Sequence, residues 1–197
     1  LGTTIDDALG EAFDKTAKII GIEFPGGPKI EEYADKGNKN RFILPKPILN
    51  RGGCNLSFAG LKTAILRIKS EIKTEQDKFD LAASFQKTIE EILREKTKKA
   101  FEIYLKENTS IKKTFVVAGG VAANQGIKNT LVNLSNENKF ECLFPDISLC
   151  SDNAAMIALV GIEKFKKKLF DELDFEVNPR WQLDEKAKFL KGAGVKI

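Results

Sequence analysis

Between Lys112 and Thr130 the chain reads KKTFVVAGGVAANQGIKNT. Thr114 to Val117 are β-branched or aromatic and predict a short buried strand. The strand runs into Gly119-Gly120 and three small residues, and a helical pattern starts at Asn124 with Ile127, Leu131 and Leu134. A strand needs no glycine pair to turn into a helix, and the pair costs backbone entropy. Two readings stand. In one, bare N–H groups and a helix dipole converge on an anion such as a phosphate. In the other, this is a tight connection with Asn124 as a plain N-cap. The spacing is neither GxGxxG nor GxxxxGK[ST], so no standard phosphate fingerprint applies.

Upstream, Ile5, Leu9, Ala12, Phe13, Ala17 and Ile20 form a stripe that predicts a helix over 4–20, stopped by Gly21. Thr4 and Asp7 have the spacing of a capping box. Asp7, Glu11, Asp14 and Lys18 share the opposite face. Phe24 to Pro28, FPGGP, predicts a stiff exposed turn, read as a plain helix-to-helix connection ahead of a loop that lies flat against a base or a sugar, and a short helix to Gly37 follows. Residues 38–53 read as a loop with a short strand at Phe42 to Leu44. From about Phe58 to Lys106 the pattern is helical, first FAGLKTAILRIKSEI and then a long helix with apolar positions such as Leu81, Phe85, Ile89 and Ile92. KFECLFPD predicts a second strand, and a final helix starts near Ser151. A helical block followed by strand–helix–strand–helix gives the α/β class with a helical insertion.

Composition narrows the function. Apolar residues are 42% and charged ones 30% of 197, which predicts a globular chain able to bury a core. No apolar run approaches the ~20 residues that span a bilayer, and the start carries no signal-peptide pattern. Cys54, Cys142 and Cys150 are odd in number and lack CxxC spacing, so they read as reduced thiols of a cytoplasmic protein. The net charge of +4 permits an acidic partner without demanding one. The sequence has no histidine, which excludes a histidine base or a histidine metal site built from this chain alone. A start at Leu1 reads as a cut inside a larger protein.

Three further places carry paired readings. Asp14 can accept from a ribose or hold a cation, or it can belong to a solvated face beside Lys15 and Lys18. Ser151 and Asp152 stand where an N-cap belongs, and a carboxylate there can also face a ligand cleft as a metal ligand. The lysine clusters at 96, 98 and 99 and at 164 and 166–168 read as solvated faces ahead of a nucleic-acid groove.

Taken in order, IDDALGEAFDKTAKIIGIEFPGGP, LSFAGLKTA, VAGGVAANQGIK, LCSDNAAMIA and NPRW resemble the bacterial tRNA adenosine threonylcarbamoyltransferase family (TsaD), formerly called glycoproteases. The resemblance spans Thr4 to Leu183. It implies an actin-like fold with two lobes around a nucleotide cleft, of which residues 1–197 match the C-terminal lobe, with a helical insertion at about 58–108. It also implies transfer of a threonylcarbamoyl group from threonylcarbamoyl-adenylate to the exocyclic amine of the adenosine following a tRNA anticodon. By resemblance Asp14, Gly27 and Asn124 contact the adenylate, Glu31 touches its ribose, and Gly119-Gly120 lie against its nucleotide part. Asp152 inherits a ligand role to one divalent metal, iron or zinc. The expected partners are tRNA, a same-fold paralogous subunit and a small ATPase subunit. The family's HxxxH metal ligands and serine-glycine-glycine loop are absent, so the isolated chain is expected to be inactive. Two other readings compete: a non-catalytic paralogue that dimerises with a full-length relative, and a small-molecule kinase of the same fold.

Overall fold

The computed structural model describes residues 1–107, 112–151, 153–174 and 176–177. The chain runs α1 (Leu9–Ile19), α2 (Gly26–Ala34), α3 (Ala59–Ile68), α4 (Glu75–Glu107), β1 (Thr114–Val116), α5 (Gln125–Glu137), β2 (Glu141–Leu143) and α6 (Ala154–Lys166). The order is the expected one, helices first and then strand–helix–strand–helix.

The core forms where the helical stripes meet. Phe13 of α1 packs edge-on against Phe85 of α4, ring centroids 5.1 Å apart. Ile30, Leu61, Ile65 and Ile89 close around them with no exposed surface. Each such side chain contributes about 1.5–3 kcal/mol by leaving water. The 33-residue α4 is the spine, packing on both α2 and α5. A second cluster stacks Phe101 of α4 on Phe140, centroids 3.9 Å apart.

The strands β1 and β2 pair in parallel through the α5 crossover, with Phe115 opposite Cys142 and Val116 opposite Leu143. β1 is not the buried strand its residues predict. Phe115 turns inward to Phe101, but Val116 is 60% exposed and its register partner Leu143 is 44% exposed. Parallel strands are ordinarily covered on both faces, and here only one face carries helices among the described residues.

Several local expectations change for identifiable reasons. The first helix starts at Leu9, not Thr4, because residues 3–6 are committed to a distant segment. Leu56 exchanges backbone bonds with Thr3 and Ile5, both 2.9 Å. The Thr4 hydroxyl donates to the Asp7 carbonyl, so there is no Thr4–Asp7 capping box. Asp6 caps another helix: its carboxylate accepts the N–H groups of Phe58 (2.7 Å) and Ala59 (3.2 Å) at the start of α3 and the Ser57 hydroxyl. FPGGP is exposed at Phe24, Pro25 and Pro28 as expected, but it is a helix start and not a plain turn. Helix α2 starts at Gly26 itself, and Pro28 sits in the first turn, where a missing N–H costs nothing.

Phe42 to Leu44 form no strand. Phe42 gives its N–H to the Ser84 hydroxyl (3.2 Å), and Leu44 drops into the core. Lys96 is buried, not solvated, and its ammonium donates to the carbonyls of Ile48 (2.9 Å), Arg51 (3.0 Å) and Gly53 (3.3 Å). The last helix starts at Ala154 and is capped by Asn153, whose Oδ1 accepts the Met156 N–H (3.0 Å), not by Ser151. It buries none of its residues, and Ile157 and Phe165 are each more than 70% exposed. No helix of the described residues is long and apolar enough to cross a membrane.

Helix α4 opens on a reciprocal cap. Thr74 Oγ1 accepts the Asp77 N–H (3.1 Å), and the Asp77 carboxylate accepts the N–H groups of Lys73 (2.9 Å) and Thr74 (2.7 Å). Those two amides, then the Thr74 hydroxyl and the Arg41 guanidinium, hold the Asp77 carboxyl far below its ordinary value. A depressed carboxyl contributes stability that is present above its unfolded value and lost as pH falls toward the folded one. Denaturant melts of wild type and Asp77→Asn should therefore differ fully at neutral pH. The gap should shrink once pH drops below the ordinary aspartate value of 3.8. A gap independent of pH contradicts the assignment.

Candidate functional site

Helix α1 brings Asp14 to the start of α2, and the contact there is unusually close. A Cβ on Gly26 would stand 2.7 Å from Asp14 Cα and 2.8 Å from Ala17 Cβ, so only glycine lets α2 begin against α1. The Gly26 N–H donates to Asp14 Oδ1 at 2.9 Å. One carboxylate oxygen of Asp14 thus caps α2, and Asp14 does not belong to a plain solvated face. Lys15, its neighbour, pairs instead with Asp7 (2.7 Å) and Glu11 (2.8 Å).

The glycine turn after β1 faces the same place. Gly119 takes a φ of +97°, which side chains rarely adopt, and swings the chain into a 3-10 turn over Gly120–Ala123. Asn124 then caps α5: its Oδ1 accepts the Ile127 N–H (2.9 Å), and its Nδ2 donates to Gln86 Oε1 on α4 (3.0 Å). Glu31, from the second turn of α2, accepts the Gln125 N–H at 2.5 Å. Both helix starts at this point therefore hold a protein carboxylate.

Between these groups lies a cavity of about 390 Å³, at the small end of the ~300–1,000 Å³ usual for ligand sites. Asp14, Gly27, Glu31, Gly120 and Asn124 all line it. Gly119 does not, and its place follows from its φ. Asp152 and the NPRW segment lie outside the described residues. Gly27 and Gly120 answer the question the glycines raise. A Cβ added at either would meet nothing within 4 Å, so neither packing nor backbone strain requires them bare. What their bareness leaves open is the cavity.

The lining holds two carboxylates and no lysine or arginine. With Glu31 already on the α5 start, the N-cap reading of that turn gains over the phosphate reading. Walls of Phe13, Pro25, Pro28 and Val121 are apolar, and Phe24 stands at the rim, 83% exposed. Such a site suits a ligand with hydroxyl or amine donors and a flat apolar face. The sequence marks the FPGGP stretch as a candidate base or sugar contact without singling out Phe24, and the aromatic ahead of PGG is the available signal. The sequence does not mark Gln86, which no local pattern ties to Asn124.

A metal does not fit the described side chains by themselves. Among them no group of three or more His, Cys, Asp or Glu is placed to hold one. The two carboxylates of the lining, Asp14 and Glu31, each already accept a backbone N–H, and two such groups fall short of the ligand number a borderline cation needs.

Fold and site together define an α/β protein with a small, acidic, partly aromatic ligand cavity. Comparison with known proteins carries this further. The family model described as TsaD, tRNA N6-adenosine threonylcarbamoyltransferase, matches residues 1–159, and the chain belongs to that family, whose fold is actin-like. A Pelagibacter ubique protein named tRNA N6-adenosine threonylcarbamoyltransferase is 68% identical over 197 residues, covering 100% of this chain and 55% of that protein. Proteins of the same name from Cereibacter sphaeroides and Rickettsia massiliae are each 47% identical, over 100% and 94% of this chain and 55% of their own length. The chain thus spans about half the length of the curated relatives it matches.

The two α2 glycines should separate on substitution. Gly26→Ala should lower stability by about 1–3 kcal/mol through overpacking. Gly27→Ala should leave stability unchanged or raise it by up to ~1 kcal/mol. Thermal melts check both, and equal losses would contradict the cavity assignment.

Proposed function

We propose that this chain forms part of a tRNA N6-adenosine threonylcarbamoyltransferase and that its cavity receives the nucleoside portion of threonylcarbamoyl-adenylate. The observation that carries the reading is the lining: two acceptor carboxylates, two bare glycines, a rim aromatic and no cation. Asp14 Oδ1 is held by Gly26, which leaves its second oxygen for a ribose hydroxyl. Glu31 offers a further acceptor, Gly27 and Gly120 let the ligand lie against backbone, and Phe24 offers a face to the base. The phosphate and acyl end then belong outside this cavity. In the reaction the adenosine amine of tRNA attacks the carbamoyl carbon, and the bond from that carbon to the phosphate oxygen breaks. AMP and a proton leave. Within it this chain binds and orients.

The chain is the C-terminal lobe in this account, with the helical insertion at about 58–108. Three observations support incompleteness: coverage of 55% of each relative, no histidine, and apolar surface on α6 and on Val116 and Leu143 that requires a cover. Asp152 is the ligand it contributes to the family's divalent metal, iron or zinc, whose other ligands lie elsewhere. The setting is the cytoplasm, and the partners are tRNA, the same-fold paralogous subunit and the small ATPase subunit. A cavity free of cations speaks against the kinase reading, since phosphoryl transfer needs charge neutralisation.

Calorimetric titration with adenosine and with AMP tests the proposal. Adenosine should bind saturably, and AMP no more tightly. Asp14→Asn should weaken adenosine about tenfold, the size of a hydrogen bond to a charged group, with little change in melting. AMP binding far tighter than adenosine would sink the reading. The chain purified alone should leave tRNA unmodified; turnover by it would show that no outside residues are required.

A further inference from the structure

Asn124 lines the cavity and is held from behind by a second side chain. Its amide is 7% exposed, and Gln86 on α4, also 7% exposed, accepts from its Nδ2 at 3.0 Å. Gln86 in turn is hydrogen-bonded to the Glu90 carboxylate, one helical turn further along α4. The start of α5 is laid directly on this pair. A Cβ on Gly126 would stand 2.3 Å from Glu90 Oε1 and 2.4 Å from Gln86 Nε2, so any side chain there would displace the ends of both.

The polarity of this row is fixed from the α5 end, where the Ile127 N–H only donates. Each carboxamide behind it then has one consistent orientation, which leaves the Gln86 NH2 toward Glu90, whose carboxyl burial pushes above its ordinary value. Gln86 must turn its NH2 to Glu90 and its oxygen to Asn124. Asn124 must then turn its NH2 to Gln86 and its oxygen to Ile127. Flipping either amide sets two donors or two acceptors against each other between side chains that are each only 7% exposed. One N–H and one oxygen lone pair of Asn124 stay uncommitted.

We infer that Gln86, anchored by Glu90, is a positioning residue that fixes the amide orientation of Asn124 at the cavity and so tunes nucleoside binding without touching the ligand. This rests on the nucleoside reading of the cavity. It also gives α4 a part in the site that its apolar stripe does not suggest.

The test is a double-mutant cycle on the full 197-residue chain with adenosine as probe, joined to side-chain amide NMR. Gln86→Met keeps the volume and removes the row. Asn124→Ser keeps an N-cap oxygen but has no amide. Each single change should weaken adenosine about tenfold, and the double change should be no weaker than Asn124→Ser alone, because Gln86 acts through Asn124. Additive losses, or a Gln86→Met chain that binds like wild type, overturn the inference. Without ligand, the Asn124 NH2 resonances should move on Gln86→Met, and unmoved resonances also overturn it. Should Gln86→Met fail to fold, Glu90→Gln removes the carboxyl at constant size and must shift the same resonances. A wild-type chain that binds no adenosine overturns the nucleoside reading and this tuning role with it, whereas a failure confined to the cycle or the resonances overturns the positioning role alone.

Discussion

The bond from the Gly26 N–H to Asp14 Oδ1 is the constraint on which the site depends. It fixes where α2 begins, and it does so at a distance between α1 and α2 that only a glycine permits. From that start α2 carries Gly27 to the cavity wall and Glu31 to the first amide of α5. The loop after β1 is then held against α2 by a carboxylate and against α4 by Asn124 and Gln86. Three elements far apart in sequence thus share one small space, and every polar group that shapes it has a named partner.

The same accounting explains the character of the cavity. Helix starts attract anions, and in this chain the protein supplies the anions itself, Asp14 at α2 and Glu31 at α5. What remains is acceptor-rich and bounded by apolar walls. A neutral, hydroxyl-bearing ligand is welcome there, and a phosphate gains nothing from the residues that line it. Belonging to the threonylcarbamoyltransferase family gives that chemistry a context, while the shape and polarity come from this chain's own residues.

Much of this was legible in the sequence, and what escaped has a common cause. Local signals served well: the stripe through Phe13, Phe85 and Ile89 marks the core, and Thr114 to Leu134 announces the strand–turn–helix unit. Long-range bonds left no trace. Asp6, inside the stretch that predicts the first helix, instead caps a helix start 52 positions away, and the first helix begins later. Pro-Gly-Gly-Pro has turn composition, yet a carboxylate from α1 converts it into a helix start. Lys96 looks like one more surface charge until three loop carbonyls are found around its ammonium. The exposure of Val116 and of α6 runs the other way, since apolar sequence predicts burial and the described residues offer no cover.

The most direct test of the account is a map of backbone amide shifts as adenosine is added to the labelled chain. The largest changes should fall on Gly27, Gly120 and Asn124 and fade along α1 and α2 away from Asp14. Shifts centred instead on the exposed face of Val116 and Leu143 or on α6, with Gly27 and Gly120 unmoved, would contradict the account.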